Sequence, residues 1–370
     1  MPTILHTEAS LGLGGQELRI LAEARWLRDH GWRALVACQP GSGLLVEARA
    51  EGVETVAVRM RGAADLAALW ALRRLLTARA VSLVHTHSST DSWLGALAAR
   101  SLRLPVVRSR HVSIAIRRAL VYRLADRVVA SGEAVRALVV AAGIPSERVL
   151  AIPPGVDTTR FHPAVSGAAV RRELRLGAAE PVVGLVANIR GSKGHNVFLE
   201  AAREILAATA RARFLIVGDG VGSEDVRRRV SALGLAERTT MTGFRRDIPE
   251  VIAALDVLVL PSIRSEATSQ VIAQALAVGT PVVATTVGGS PELIRDGETG
   301  RLVPPDDAHA LAAAVLETLR DPARARALAR AGQATVATRL TLDVSMARTT
   351  AVYRALLGAT TASHGAQGDA

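Results

Sequence analysis

A chain of 370 residues that is 49% hydrophobic carries enough apolar material for two cores, which excludes global disorder. Aromatic residues make up only 3%, too few for the stacking platforms that single-stranded nucleic acid requires, so no nucleic-acid partner is expected. The net charge of +11 is uneven: 21 basic against 13 acidic residues over 1–163, but 24 against 21 over 164–370. The excess in the first part suits an anionic surface such as phospholipid headgroups, the alternative being an arginine-rich chain with no such partner.

Strands are predicted at Ile4–His6, Ala34–Cys38, Thr55–Val58, Leu83–His85, Val106–Ser109, Arg127–Ala130 and Val149–Ile152. Helical periodicity separates them at Gln16–His30, Asp65–Ala80, Asp91–Leu102 and Glu133–Ala142. Alternation at this spacing predicts an α/β fold with a doubly wound parallel sheet. The Pro- and Gly-dense stretch from Pro153 to Pro163 breaks the pattern and marks a boundary. The alternation then restarts, with strands at Val182–Ala187, Phe214–Val217, Thr239–Thr242, Val257–Leu260, Val282–Ala284 and Leu302–Val303. Helices are predicted at Asn196–Ala208, Ser223–Leu233, Ser269–Val278, Asp306–Arg320 and Ser345–Leu357, the last running into a small-residue tail expected to be disordered. The expected domains are therefore 1–163, 164–344 and a terminal helix and tail over 345–370. Two Rossmann-like halves facing one another place the default ligand site in the crevice between them, at the carboxyl ends of the strands.

The single cysteine, Cys38, lies in an apolar run and reads as a buried thiol of a reducing compartment. Met1–Thr7 has neither a basic region nor a long apolar core, so no signal peptide is expected, and no run approaches the roughly 18 apolar residues of a membrane span. The expected location is cytoplasmic, with peripheral attachment to the inner face of the cytoplasmic membrane as a variant. One segment, Ser113–Arg127, interleaves Ile114, Ile116, Leu120, Val121 and Leu124 with Arg117, Arg118, Arg123 and Arg127. It fits either an anionic membrane surface or packing on the first sheet.

Lys193 is the sole lysine; every other fixed cation is arginine. It sits in Arg190-Gly191-Ser192-Lys193-Gly194 just after an apolar run, a strand-to-helix turn of the kind that holds a diphosphate. Downstream, Glu266 precedes Ser269 and Gln270, whose free N–H groups would meet a phosphate, and Gln274 follows one turn later. Near the start, Gly12, Gly14 and Gly15 open the first long helix, but Glu17 stands where a dinucleotide fingerprint wants glycine, which argues against NAD. His85, His87 and His111 follow strand ends and suit sugar hydroxyls or the loop itself. No further ligand sits at zinc-like spacing, and no Asp-x-Asp triplet occurs, so no metal and no cofactor is expected.

Taken in order, Gly14-Gly15-x-Glu17, His111, Pro154-Gly155-Val156-Asp157, Arg190-x-x-Lys193-Gly194, Val217-Gly218-Asp219-Gly220, Thr242-Gly243-Phe244, Pro261-Ser262, Glu266, Gly279-Thr280-Pro281 and Gly288-Gly289-x-Pro291-Glu292 resemble the family-4 glycosyltransferases over nearly the whole chain. His85-Thr86-His87-Ser88-Ser89 is similar to members that build lipopolysaccharide or other surface polysaccharides. The resemblance implies a GT-B fold and a retaining, metal-independent transfer from a UDP-, GDP- or ADP-sugar to a glycan or lipid-linked acceptor. It implies Arg190, Lys193, Glu266 and His111 as catalytic residues, with Gly243, Phe244, Ser269, Gln270 and Gln274 completing donor binding. Gly14, Gly15, His85 and His87 would form an acceptor or phosphate loop. The chain departs from the family in having Gln274 for the second glutamate and Ala267 and Ser269 for glycines. These departures leave a catalytically silent nucleotide-sugar-binding protein as one rival, beside a non-hydrolysing sugar-nucleotide epimerase and a dinucleotide oxidoreductase.

Overall fold

The computed structural model describes residues 1–116 and 119–365. The chain forms two compact units, Met1–Gly155 joined by the segment from Leu342, and Val156–Thr341. In the first unit the elements run β1 (Thr3–Glu8), α1 (Gly15–Asp29), β2 (Arg33–Cys38), α2 (Gly43–Ala50), β3 (Glu54–Ala57), α3 (Leu66–Ala78), β4 (Leu83–Thr86), α4 (Ser89–Arg100), β5 (Val106–Arg110), α5 (Leu120–Arg123), β6 (Arg127–Ala130), α6 (Glu133–Ala141) and β7 (Val149–Ala151). The strands are parallel in the order β3-β2-β1-β4-β5-β6-β7. Helices on both faces bury both sides of the central strands, so β1 is buried from end to end and reads as a run rather than an alternation.

Side chains that share one face grade from apolar to polar toward the strand ends. Ile4 leads to His6 and Glu8, Leu83 to His85 and His87, and Val107 to Ser109 and His111, because every second residue points the same way. The apolar half of that face meets Ile20, Ala24 and Leu27 of α1 in a continuous core. A polar region at the carboxyl end of the sheet is thus written into three strands at once.

The second unit contains α7 (Ala168–Glu173), β8 (Val182–Val186), α8 (His195–Ala208), β9 (Arg213–Val217), α9 (Ser223–Ala232), β10 (Thr239–Gly243), α10 (Ile248–Ala253), β11 (Val257–Leu260), α11 (Gln270–Val278), β12 (Val282–Thr285), α12 (Ser290–Leu293), β13 (Arg301–Val303), α13 (Ala308–Arg320) and α14 (Pro322–Arg339). Its parallel order is β10-β9-β8-β11-β12-β13. One face buries Val182, Leu215 and Leu258 with Ile272 and Leu276, and the other buries Val183, Leu185, Phe214 and Val259 with Phe198 and Val315.

The last helix, α15 (Leu342–Gly365), returns to the first unit, where Met346, Val352 and Tyr353 enter the core beside Trp32 and Ile152. The chain changes unit at Gly155/Val156 and again at Thr341/Leu342, rather than after Pro163 and Val344. Val156 and Phe161 pack with Val170 and Leu255 in the core of the second unit, which is why the Pro- and Gly-rich stretch belongs to it. The terminal helix is longer than the periodic stretch suggested and continues through Gly358 to Gly365. Residues 366–370, the end of the tail expected to be disordered, lie outside the described residues.

Among the described residues six helices escaped the sequence reading (α2, α5, α7, α10, α12 and α14), of which α14 and α2 are the longest. The apolar stripe of α14 is built from Ala325, Ala329, Gly332 and Val336, too small-sided to register as periodic. In α2, Leu44, Leu45 and Ala48 face inward within only eight residues. No helix among the described residues is long and apolar enough to cross a membrane.

Candidate active site

In a doubly wound sheet the strand order reverses at one place, and loops leaving the strands there part to either side. In the second unit this happens between β8 and β11, which are paired at Val183–Val257 and Gly184–Leu258. The loop after β8 carries Arg190 and Lys193; the loop after β11 carries Glu266. The two loops meet. Lys193 Nζ lies 2.6 Å from Glu266 Oε2, and Ser262 Oγ donates to the same oxygen at 2.6 Å. Glu266 is buried and the Lys193 side chain is about a quarter exposed, at 23%. The pair therefore stands at the edge of the protein interior, where a charge is only partly screened.

Backbone close approach builds this geometry. Lys193 ends a 3-10 turn, Gly191–Lys193, and Gly194 follows in the left-handed region at φ 70°. A Cβ at Gly194 would fall inside the Pro261 carbonyl, so glycine is what lets the two loops touch. Ile263 N–H donates to Ser192 O at 2.9 Å and fastens them. On the far side of Glu266, Gly288 has φ 58° and its Cβ position is filled by the Glu266 carbonyl, while Gly289 N–H donates to that carbonyl at 3.2 Å. The paired glycines of the Gly288-Gly289-x-Pro291-Glu292 motif thus hold the backbone of Glu266.

Among the other expected donor residues, Arg190 is exposed at the start of the turn. Ser269 is buried at the N-cap of α11 and makes no side-chain capping bond. Gln270 and Gln274 fall on the partly exposed side of α11, opposite Ile272, Ala273 and Leu276. Gly243 ends β10 at φ 72° and accepts from Gly218 N–H at 2.9 Å, and Phe244 beyond it is half exposed with the Arg246 guanidinium 5.8 Å from its ring. One residue beside these was passed over in the sequence. His195, two residues after Lys193, is buried with neither ring nitrogen hydrogen-bonded. Burial, and secondarily the Lys193 charge, push its pKa down to about 4. Its position directly after Lys193-Gly194 was the signal available.

In the first unit the reversal lies between β1 and β4, where His6 is the register partner of His85. His85 is fully buried, with Nδ1 2.6 Å from Tyr353 Oη and Nε2 2.8 Å from Ser109 Oγ. His87 is buried with Nε2 2.9 Å from His6 Nδ1 and Nδ1 3.0 Å from His111 Nε2. Both rings are engaged by internal partners in this structure. Their strands end in a polar core beneath α1 and α15, not at a surface. His111 alone of the three keeps some exposure. Burial holds all three imidazoles well below their ordinary pKa, helped by neighbouring imidazole and guanidinium charges, so they are neutral at pH 7.

The Gly14-Gly15 turn opens α1 as expected, but Glu17 turns back and accepts from Gly14 N–H at 2.8 Å. The helix N-terminus thereby gains a carboxylate from its own first turn. Glu8, unremarked in the sequence, is buried at the end of β1, accepts from Ser10 N–H at 2.8 Å and contacts Gln16. Burial first, and then the Asp91 carboxylate, push its pKa up to about 8. Asp91 itself caps α4 by accepting from Ser88 N–H at 2.8 Å, and it takes Thr7 Oγ1 at 2.9 Å.

Of the Ser113–Arg127 segment, Arg117 and Arg118 lie outside the described residues. The remainder divides its apolar groups: Val121 and Tyr122 are buried in the four-residue α5, while Ile114 and Leu120 are exposed.

Two all-parallel Rossmann-like units, of seven and six strands, are the GT-B architecture. A glycosyltransferase from Rickettsia africae superposes with a TM-score of 0.86 over 96% of this chain and 98% of its own, at 22% identity, and matches the fold. Residues 13–160 match the Glycosyltransferase Family 4 family model and residues 180–321 match Glycosyl transferases group 1. A GDP-mannose-dependent alpha-(1-6)-phosphatidylinositol monomannoside mannosyltransferase of Mycolicibacterium smegmatis is 34% identical over 280 residues, covering 73% of this chain and 69% of that protein. The lipopolysaccharide core biosynthesis mannosyltransferase LpsB of Rhizobium meliloti is 30% identical over 210 residues, 55% of this chain and 60% of that protein. The chain belongs to glycosyltransferase family 4. It spans 66% and 55% of the length of two D-inositol 3-phosphate glycosyltransferases that it also matches.

Proposed function

We propose that this protein transfers a sugar from a nucleotide-diphospho-sugar to a glycan or glycolipid acceptor, with retention of anomeric configuration and without a divalent ion in the transfer step. The observation that carries the reading is the contact between Lys193 and Glu266 at the reversal point of the second sheet. Breaking the anomeric bond develops negative charge on the departing phosphate, and a cation already in place stabilises that charge without reorganising. Lys193 and Arg190 supply cations and the N-terminus of α11, at Ser269 and Gln270, supplies N–H dipoles. An ammonium has three donors, so Lys193 can keep Glu266 and still meet a phosphate.

Both bonds to Glu266 reach Oε2, leaving Oε1 to accept from hydroxyls of the donor sugar. The carboxylate orients the sugar and does not attack it. Gln274 would bond the ribose hydroxyls through its amide, and Gly243 with Phe244 would border the nucleotide. In the first unit His111 is the neutral imidazole left to meet a hydroxylated ligand, and Gly14 and Gly15 would shape the loop for phosphate or acceptor. Attack on the face from which the phosphate leaves gives retention; the acceptor oxygen forms the new anomeric bond as its proton passes to the phosphate oxygen. Two of the relatives, a phosphatidylinositol monomannoside mannosyltransferase and a lipopolysaccharide core mannosyltransferase, support a mannosyl or other hexosyl donor and an envelope glycolipid acceptor. A lipid-linked acceptor would draw the basic first part of the chain to an anionic bilayer, and cosedimentation with anionic vesicles but not neutral ones is the expected result.

Thermal stabilisation by UDP-, GDP- and ADP-sugars identifies the donor, since a ligand at a hundred times its dissociation constant adds roughly 2.7 kcal/mol. The chosen donor is then assayed for nucleoside-diphosphate release in EDTA with acceptor glycolipids. Inversion at the anomeric carbon, or turnover abolished by EDTA and restored by magnesium, would sink the mechanism; absence of stabilisation by every donor would sink the substrate class.

A further inference from the structure

We propose that the first unit holds a transition-metal ion of the zinc type among His6, Glu23, His85 and His87, beneath α1. These four residues come from β1, α1 and the end of β4, all are buried, and one ligand atom from each lies within 4.8 Å of the others. Sequence spacing gave no hint of this set, because His6 and Glu23 stand about eighty and sixty residues before the two later histidines.

Orphaned lone pairs are the second observation. His6 Nε2 and Glu23 Oε2 are buried with no hydrogen-bond partner. An unsatisfied buried acceptor costs about 1–3 kcal/mol, so two on neighbouring side chains call for a common partner. Arg19 does not supply it: its Nε reaches only the other oxygen, Glu23 Oε1, at 2.6 Å. Neutral imidazoles and one carboxylate are the donor set that zinc prefers, and they do not suit magnesium or calcium.

Ligation asks little of the surroundings. With its proton on Nδ1, His6 offers the Nε2 lone pair to the ion, and His87, ligating through Nε2, gives up its contact with His6 while its Nδ1–H donates to His111. His85 and His87 each exchange one hydrogen-bond partner for it, and Tyr353 and Ser109 hydroxyls can rotate to accept the change. A tetrahedral site with bonds near 2.0–2.1 Å has ligand atoms about 3.3 Å apart, so the longest separation must close by roughly 1.5 Å. The carboxylate would then bridge the ion and the Arg19 guanidinium. Such an ion ties α1, which carries the Gly14-Gly15 turn, to β1 and β4. Its role is structural and separate from donor chemistry in the second unit.

The test uses the full chain, free of any affinity tag, purified with zinc chloride and gel-filtered. About one zinc per chain by elemental analysis is expected, and cobalt(II) in its place should give the visible absorption of a tetrahedral site. Glu23→Gln and His87→Gln, checked for folding by circular dichroism, should each lower bound zinc at least about tenfold. Because a buried variant can fail to fold, the second arm uses the unaltered protein: EDTA should lower its melting temperature, with zinc but not magnesium restoring it. Less than about a tenth of a zinc per chain with no cobalt band would overturn the proposal. So would a full equivalent of zinc retained in both folded variants, which would place the ion elsewhere.

Discussion

The Lys193 ammonium touches Glu266, a carboxylate that the family resemblance also singles out, 2.6 Å away and 73 residues distant in sequence. That contact gives a physical reason for a lysine here in a chain whose other fixed cations are arginine. A planar guanidinium needs more room and a fixed direction, whereas the ammonium can bond Glu266 and turn a second proton to a phosphate. Lys193→Ala is expected to lower turnover at least about a hundredfold, the scale for losing one group that stabilises transition-state charge. Lys193→Arg should be impaired as well. Wild-type nucleoside-diphosphate release in Lys193→Ala would remove the phosphate role. His195, beside it, gives a separate expectation. Its folded pKa of about 4 lies below the ordinary 6.5, so the unfolded chain binds the proton first as pH falls. The stability it confers is complete above pH 6.5 and is lost from there down to about 4, at roughly 1.4 kcal/mol per pH unit. Urea midpoints of the wild type and His195→Gln should converge over that window; parallel curves would show that the imidazole does not titrate as a buried group.

At the level of elements, the second site is made by glycines at turns rather than by helices. Gly194 and Gly288 take positive φ and sit where a side chain would strike Pro261 and Glu266. Gly288→Ala is expected to cost on the order of 3 kcal/mol and to displace Glu266, reducing both melting temperature and turnover. A Gly288→Ala protein that melts with the wild type would show that the Glu266 loop has room to shift. These glycines were visible in the sequence as motif members. What each one approaches was not, since a loop's neighbour across the sheet depends on strand order. The three-strand gradient from apolar to polar in the first unit was likewise present in the letters, but it becomes a gradient only once β1, β4 and β5 are known to lie side by side.

For the molecule as a whole, the first unit is completed by the end of the chain. Tyr353 closes the core above Trp32, their rings 6.1 Å apart, and bonds His85. Ending the chain at residue 341 removes these contacts and exposes Ile20, Leu27 and Val36. Hydrogen exchange should then accelerate across β1, β2 and β4 while β8, β9 and β11 keep their protection, because the core of the second unit lies within residues 156–341. Equal loss in both units would contradict the independence of the cores.

The sequence by itself determined the alternation of strand and helix, the two parallel sheets and the ordered motifs of the family, because hydrophobic period and turn residues act over a few neighbours. It could not decide which side chains meet. Partners 73, 81 and 268 residues apart, at Lys193–Glu266, His6–His87 and His85–Tyr353, are chosen by strand order and by which helix covers which face. Local periodicity carries no term for either. The same limit applies to His85 and His87: a strand's end says where a side chain leaves the sheet, and only the packing above it says whether water or a helix is waiting there.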